Sequence, residues 1–489
     1  MIFIFLLFLL TANIYSETYL NGSYETSFDI RKTSSYKWAV DYPWHRLEAR
    51  LYSEPIKNFS FFLKTYANVD ATYEKDLTKF KREIFQLAES HLNYKIGKKD
   101  KVEFYFFANQ IRFYLGDPLF YLVNTDKDKW DEDGGIGTAR VAGSTIEIEG
   151  FVPNFYSKFF IAKMYRQNVD AYGARIYDNI ISEKLRLGFT STYKRWSSNP
   201  NDYNLVLASD LFFNIFKNSI TFEIAKSKTP SDYSIKNDDL ALKVEYRKDF
   251  ETFLGGLNLI ASYRDIGKDF RAYCSKVYDN DRKYDQNGYY FESKYRFPKK
   301  AITLTYHRDF YKKKKINYSE TEDYIEGYVE FIKDINLKIY YLTTHQFNSD
   351  KVEITKLDGS KAWVYLQDDR WSHFFSQISM QDKKTLIKLQ FKIRNIKTEY
   401  LQYIYGTEIS INLTEKLKTL NRFLIVDEIY RTRDTFWSQL QYNFGQNTDF
   451  YLEYGNDSYV NDDLVNDKDF VESNNSMEHK IHLYVKLSF

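Results

Sequence analysis

The feature that most constrains the fold of this chain is a regular alternation of apolar and polar residues over runs of about 10 to 13 positions. Residues 240–247 place Leu, Leu, Val and Tyr on one side and Ala, Lys, Glu and Arg on the other, and 387–394 and 409–414 behave in the same way. A strand of a soluble sandwich usually keeps such a pattern for about 5 or 6 residues. A tilted membrane strand needs about 9 to 11. The run length therefore favours an all-β membrane barrel, with lipid outside and water inside.

The composition agrees with strands that have one apolar and one polar face. Aromatic residues make up 19% of the 489 residues, yet the mean hydropathy is −0.55. A strand that is half apolar and half charged averages to polar, which reconciles the two values. The net charge of +2 argues against nucleic acid as a partner. The single Cys274 excludes an intramolecular disulfide.

The N-terminal residues have the pattern of a secretory signal peptide. Residues 1–10 are almost all apolar, and small or polar residues follow up to Ser16. This run is shorter than the roughly 20 residues that a membrane-spanning helix requires. We therefore expect a signal peptide over 1–16 and one barrel domain over 17–489.

Tight polar connections alternate with long ones along the chain, as in barrels with short periplasmic turns and long outer loops. The pattern predicts a transmembrane antiparallel up-and-down β-barrel of about 24 strands, with 22 as the alternative count and both ends on the periplasmic side. The long outer loops are expected at 114–138, 266–287, 348–370 and 457–476. In this topology Trp44, Trp196, Trp371 and Trp437 would lie at the outer rim, where Trp meets the lipid interface.

The predicted strands lie near 18–32, 44–53, 58–70, 83–96, 101–113, 139–151, 155–166, 171–181, 184–196, 203–216, 219–228, 238–249, 253–265, 288–297, 300–311, 321–333, 335–347, 371–382, 384–395, 403–413, 417–431, 435–444, 448–456 and 478–489.

The loop 114–138 is the most individual segment, because an apolar half (119–123) precedes an acidic half. Two interpretations are open: the loop folds into the barrel and narrows the pore, or it packs on neighbouring outer loops. The candidate constriction residues are Asp117, Asp126, Asp128, Trp130, Asp131, Glu132, Asp133 and Arg140. The acidic half does not fit a calcium loop, since Trp130 occupies the third ligand position. We expect no metal site and no cofactor.

Charged residues occupy the polar side of many strands and would be costly in hydrocarbon. The predicted lumen wall includes Arg46, Arg50, Lys243, Arg247, Glu326, Glu330, Lys388 and Arg394. Such a number of charges predicts a wide, wet lumen. Mutual ion pairing across neighbouring strands would explain most of them without any dedicated solute site.

Enzymatic chemistry finds little support in the sequence. The seven His residues are scattered, and neither a Gly-x-Ser-x-Gly elbow nor a phosphate loop is present. His345 and His373, near outer strand ends, are the only candidates for a rim enzyme of the lipase or protease type. We therefore expect no enzyme.

The apolar N-terminal run, the alternating strands and the final strand ending in Phe489 resemble the outer-membrane β-barrel proteins of double-membraned bacteria. The resemblance implies recognition by the barrel-assembly machinery through Tyr484, Val485, Leu487 and Phe489. It also implies contact with outer-membrane lipid and lipopolysaccharide. The strands begin soon after the expected cleavage site, so a preceding plug domain is not expected.

A second, short resemblance is to alginate-export-type and other substrate-selective porins. It rests on Asn109-Gln110, Gly116-Asp117 and Trp130 before a Gly-rich strand, and the apolar stretch 118–123 departs from that pattern. Together these features predict a porin-like channel for small hydrophilic solutes. A surface structural or adhesion barrel without transport is the alternative.

Overall fold

The computed structural model describes residues 17–32, 38–40, 44–70, 85–97, 101–108, 115–123, 141–149, 152–164, 169–182, 184–196, 199, 201–230, 238–274, 285–298, 301–355, 361–396, 400–445, 447–455 and 479–489. Among these residues, none belongs to a helix long and apolar enough to cross a membrane. The expected signal peptide 1–16 lies outside the described residues.

Nearly all regular structure in the described part of the chain is strand. The strands are β1 (Glu17–Lys32), β2 (Trp38–Val40), β3 (Trp44–Ile56), β4 (Phe59–Asp70), β5 (Phe85–Ile96), β6 (Val102–Ala108), β7 (Val141–Glu149), β8 (Phe155–Met164), β9 (Val169–Ile181), β10 (Leu185–Trp196), β11 (Tyr203–Ile215), β12 (Asn218–Lys228), β13 (Leu240–Thr252), β14 (Gly255–Ile266), β15 (Gln286–Arg296), β16 (Ile302–Lys312), β17 (Tyr318–Ile332), β18 (Ile335–Thr355), β19 (Lys361–Gln381), β20 (Thr385–Ile396), β21 (Tyr400–Asn412), β22 (Leu417–Glu428), β23 (Arg431–Asn443), β24 (Thr448–Gly455) and β25 (Lys480–Ser488).

The strands form a single antiparallel sheet that closes on itself. From β3 onward each strand pairs with the next along the chain, and β1 pairs with β3 on one side and β25 on the other. At the seam the backbone of Gly22 donates to the Phe489 oxygen at 2.9 Å, and Phe489 donates back at 3.1 Å. In the described part of the chain the three-residue β2 pairs only with β1, and the other strands number 24. The predicted up-and-down barrel is confirmed.

The two faces of the sheet differ as the alternation predicts. On one face the large apolar side chains are exposed, as at Phe189, Leu207 and Leu389. The intervening positions carry polar and charged side chains, of which Arg175 and Glu223 are fully buried. Because the barrel is closed, the face with buried charges is the inner one. The apolar face is the outer one, as a lipid-facing surface requires.

The segment 348–370 differs from the long outer loop that the sequence predicts. Strands β18 and β19 continue to Thr355 and from Lys361, with Glu353 opposite Trp363. This hairpin therefore extends as a two-stranded ribbon beyond the last pairing of β17 with β18, at Tyr318 and Asn348. The polar residues of 348–370 suggested a loop, but cross-strand pairing satisfies the backbone of most of it.

The prediction that Trp437 lies at the outer rim is wrong. It occupies the middle of β23 on the inner face, is 3% exposed, and lies under the Arg422 guanidinium, whose carbon is 5.6 Å from the ring centroid. The indole of Trp437 is stabilised by the Arg422 cation inside the lumen, so its position does not depend on the interface between lipid and water. Trp196, the last residue of β10, does lie at the long-loop end of the barrel.

Gly143 tests how tightly the inner face of β7 is packed. A Cβ at this position would lie 2.2 Å from the Ile161 oxygen and 2.9 Å from the Phe107 ring. We expect Gly143→Ala to destabilise the barrel by about 1–3 kcal/mol through overpacking. Gly327→Ala is the matched control, since its Cβ would approach nothing closer than 3.6 Å. Urea unfolding of both variants in lipid vesicles measures the difference, and equal midpoints would contradict the expectation.

Candidate functional site in the barrel lumen

Residues 115–123, which we call the first inner segment, fold against the inner face of the barrel. Leu119, Phe120 and Leu122 are almost completely buried. Phe120 and Leu122 pack with small apolar side chains of three neighbouring strands. These are Val206, Ala208, Ala225 and Ala241. The apolar half of the 114–138 loop therefore lies inside the barrel, where the small wall residues leave room for it.

Glu223 of β12 fixes the backbone of the first inner segment. Its Oε2 accepts hydrogen bonds from the backbone N–H of Leu119 at 2.8 Å and of Phe120 at 3.1 Å. From β13, the Lys243 ammonium donates to the Leu119 oxygen at 3.3 Å. A hydrogen bond contributes about 0.5–1.5 kcal/mol, and one that involves a charged group such as the Lys243 ammonium contributes about 1.5–3 kcal/mol. The segment is thus tied to the wall by buried hydrogen bonds as well as by apolar packing.

A buried ion pair lies beneath this attachment. Arg175 of β9 donates from Nη1 to Asp210 Oδ2 at 2.7 Å and from Nη2 to Asp210 Oδ1 at 3.1 Å. Nη1 also donates to the Thr190 hydroxyl at 2.7 Å. Both charged side chains are about 1% exposed. The bidentate geometry is what allows two charges to remain in a site without water.

Asp117 gives the first inner segment a buried carboxyl group of its own. Its Oδ2 accepts the backbone N–H of Leu122 at 2.8 Å, while its Oδ1 is buried without a hydrogen-bond donor. Burial raises the pKa of this carboxyl to about 6, and the charge of Asp210 acts in the same direction. The Leu122 N–H and the Arg175 guanidinium oppose the rise. Asp117 is therefore a carboxyl that gains a proton when the segment is docked.

A second inner segment, residues 267–274, covers the wall next to the first. The Asn204 side chain accepts the N–H of Tyr273 at 3.1 Å and donates to the Arg271 oxygen at 3.0 Å, as a strand backbone would. The Lys194 ammonium donates to the Tyr273 oxygen at 3.0 Å. Phe270 meets Phe120 with ring centroids 5.9 Å apart. The start of the 266–287 loop thus folds inward, whereas the sequence predicted an outer loop.

The sequence contained a signal for this site that the strand analysis missed. The inward positions of β11 to β13 include Val206, Ala208, Ala225 and Ala241, which are small where other strands carry long polar side chains. Small inward residues on adjacent strands indicate that another part of the chain packs there. The anchoring residues Arg175, Asp210 and Glu223 were not among the predicted site residues.

The predicted wall charges lie on the inner face, and many of them pair with other charged residues of that face. Glu48 lies 3.4 Å from Arg46, 2.5 Å from Arg50 and 3.4 Å from Lys64. Further contacts of the predicted wall residues are Arg247–Glu245 at 2.5 Å, Lys388–Glu408 at 3.1 Å and Lys338–Glu326 at 3.6 Å. Glu330 instead accepts the N–H of Asp334 in a turn at 3.3 Å. Arg394 faces His373 and Gln402 in register.

Most predicted constriction residues cannot be placed. Asp126, Asp128, Trp130, Asp131, Glu132, Asp133 and Arg140 lie outside the described residues. The two histidines considered for a rim enzyme are on opposite faces of the sheet, His345 outward at 2.8 Å from Asp368 and His373 inward. Among the residues that the structure describes, no group of three or more His, Cys, Asp or Glu side chains is placed to hold a metal ion.

Comparison with known proteins supports the fold. No protein-family model matches the sequence, and no match was found among curated proteins. The chain is similar to a chain of the E. coli P pilus tip assembly intermediate PapC-PapD-PapK-PapG, with 7% identity and a TM-score of 0.59 over 96% of this chain and 60% of that one. At this identity the similarity shows the fold alone, that of a large β-barrel.

Two further solved structures align with the chain at lower scores. The siderophore receptor PirA from Acinetobacter baumannii has 9% identity and a TM-score of 0.48, covering 96% of this chain and 80% of that one. The P pilus usher PapC translocation pore has 7% identity and a TM-score of 0.48, covering 96% and 99%.

Proposed function

We propose that this chain forms a channel in a bacterial outer membrane through which small hydrophilic solutes pass, and that the first inner segment narrows its lumen. The contrast between the two faces of one closed sheet carries the proposal. The outer face exposes Phe189, Leu207 and Leu389, while the inner face holds charges and a folded-in segment. Charged side chains require water or partners, and a closed barrel of this size has room for both.

The wall chemistry favours a general channel for polar solutes. Wall charges such as Lys388 and Glu408 neutralise one another across neighbouring strands, which leaves a polar surface of mixed sign. Such a surface gives weak selectivity by charge. The barrel-assembly machinery and lipopolysaccharide remain partners that the sequence alone suggests.

Planar-bilayer recording tests the channel directly. The refolded full chain should produce discrete single-channel currents, and liposome swelling should follow for small sugars and organic acids. A folded barrel that gives neither current nor solute flux would contradict the proposal. Removal of residues 119–133 should alter the current or its ion selectivity, because the deleted stretch includes most of the first inner segment.

A surface-binding role is the second candidate, favoured by the β18–β19 ribbon. The ribbon exposes Trp363, Tyr365 and Leu366 beyond the barrel wall, and exposed aromatic residues are common at binding sites for other proteins. Replacing 349–366 by a short turn separates the two functions. Transport predicts unchanged conductance in this variant, whereas a purely adhesive protein would lose its surface binding and show no conductance in either form.

Docking of the first inner segment should weaken as pH rises. The docked Asp117 keeps its proton up to about pH 6, whereas its ordinary pKa is 3.8. The stabilising effect is complete below pH 3.8 and is lost as pH rises through 6. Between pH 5 and pH 8 the equilibrium constant for docking of the first inner segment on the barrel wall should fall about tenfold. Arg175, Asp210, Glu223 and Lys243 are the charged groups around this carboxyl.

Open-channel probability recorded across this pH range measures the effect. It should increase with pH in the wild type and increase clearly less in Asp117→Asn, which cannot ionise at this position. An unchanged pH response in that variant would assign the titration to another group.

A further inference from the structure

The short turns at one end of the barrel carry a ring of exposed lysines. We call this ring the short-turn rim. Its lysines are Lys57, Lys184, Lys217, Lys333, Lys384 and Lys416. Each belongs to a tight connection between two consecutive strands. Strands of 11 to 13 residues, such as β12 and β11, rise roughly 25–30 Å when tilted by about 45°. Their ends therefore reach the level of lipid headgroups.

Large apolar side chains are exposed beside these lysines. Ile56 is 61% exposed next to Lys57, Phe216 is 91% exposed next to Lys217, and Ile332 is 67% exposed. Apolar tips in water would be unfavourable at about 25 cal/mol per Å². A membrane interface accepts both groups, because the apolar residues enter the lipid and the lysine stems extend to the phosphates.

The turn at Phe216 and Lys217 combines an unusual backbone conformation with a highly exposed aromatic side chain. Both residues have positive φ, 51° and 62°, as the tightest hairpin turns require. Asn and Gly occupy such positions with little strain, whereas a bulky aromatic residue is unusual there. Phe216 is thus costly for the backbone and almost wholly exposed. Contact of Phe216 with a binding partner outside the protein explains why a residue that strains the backbone and is exposed occupies this turn.

The rim lysines keep their charge available. Within the described part of the chain, none of the six takes part in an ion pair. Two carboxylates at these turns bond to the turn backbone, since Asp382 accepts the N–H of Lys384 at 2.6 Å and Glu54 accepts that of Asn58 at 3.3 Å.

At the opposite end of the barrel some lysines find partners. Lys314 lies 2.5 Å from Asp265, and Lys361 lies 3.0 Å from Glu353. Other lysines at that end are exposed as well, and the short-turn rim differs from it in placing lysines directly beside large exposed apolar side chains such as Phe216.

We infer that the short-turn rim binds the headgroups of anionic phospholipids in the adjoining leaflet. The inference rests on the proposed membrane location of the barrel. Opposite charge and the apolar neighbours of each lysine select this partner, because a soluble polyanion would not account for Phe216 and Ile332. Each lysine near an anionic lipid surface contributes about fivefold in affinity, or about 1 kcal/mol.

Lipid retention tests the inference with matched variants. The full chain is placed in nanodiscs containing equal amounts of phosphatidylglycerol and phosphatidylcholine, and retained lipids are counted by native mass spectrometry. The rim variant combines Lys217→Gln, Lys333→Gln and Lys416→Gln. The control variant combines Lys228→Gln, Lys312→Gln and Lys315→Gln, at exposed positions near the long-loop end.

The wild type and the control should retain an excess of phosphatidylglycerol, and the rim variant should lose most of it. Equal retention by rim variant and wild type, or an equal loss in the control, would overturn the inference. Conductance in pure phosphatidylcholine separates it from the proposed channel. A conducting barrel without the lipid preference fails only here, whereas a barrel with the preference but no current fails only as a channel.

Discussion

Glu223→Ala should release the first inner segment and raise the single-channel conductance. The substitution removes the acceptor of two buried N–H groups, those of Leu119 and Phe120. Each buried donor left without a partner costs about 1–3 kcal/mol. A loss of about 3 kcal/mol shifts the docking equilibrium roughly 150-fold. Planar-bilayer recording at constant pH measures the change.

Two control variants show whether the change in conductance comes from the lost hydrogen bonds between Glu223 and the first inner segment. Glu223→Gln keeps an acceptor oxygen at the same place and should have a smaller effect. Glu326→Ala removes a wall carboxylate that pairs with Lys338 far from the segment, so the conductance should change little. If Glu326→Ala raised the conductance as much as Glu223→Ala, the effect would come from wall charge and not from release of the segment.

Arg175→Met should be among the most destabilising single substitutions in the barrel. It leaves Asp210 as a buried charge without its bidentate partner. Breaking a buried ion pair from one side costs about 3–5 kcal/mol. The unfolding midpoint in urea, followed by tryptophan fluorescence in lipid vesicles, should fall accordingly.

Removing both charges together should restore most of the stability. The double variant Arg175→Met with Asp210→Leu removes both members of the pair, and replacement of a whole buried pair is often neutral. Arg247→Met is the matched control, because the Arg247 side chain is 55% exposed and an exposed pair contributes about 0–1 kcal/mol. A double variant as unstable as Arg175→Met would mean that the arginine acts through packing and not through its charge.

The strands could be predicted because their signal is local. In a strand, side chains alternate between the two faces, so a run such as 240–247 identifies both the element and its outward side without any knowledge of its neighbours. All 24 predicted strands have a counterpart in the barrel. The prediction of a long loop at 348–370 was wrong because it relied on the same local signal. Polar residues in a ribbon beyond the barrel wall lack the apolar alternation that marks a strand of the wall.

The lumen site was only partly predictable. The apolar stretch 119–123 indicated that the loop must pack against something, and Asp117 was named as a site residue. The wall residues that bind this segment could not be predicted, because an inward charge such as Glu223 cannot be distinguished in the sequence from any other wall charge. What separates them is burial, which depends on a loop 104 positions away reaching Leu119 to Glu223.

The sequence by itself determined the class of fold, the strands and the outward side of each strand, because period-two alternation acts within a few neighbouring residues. The tertiary structure decided which inward residues meet. Arg175 and Asp210 are 35 positions apart and become a pair only through the register of β9, β10 and β11. Water is excluded from that pair because the barrel closes and two segments fold inward. Burial is what distinguishes this pair from the other wall charges and makes it part of the site that holds the first inner segment.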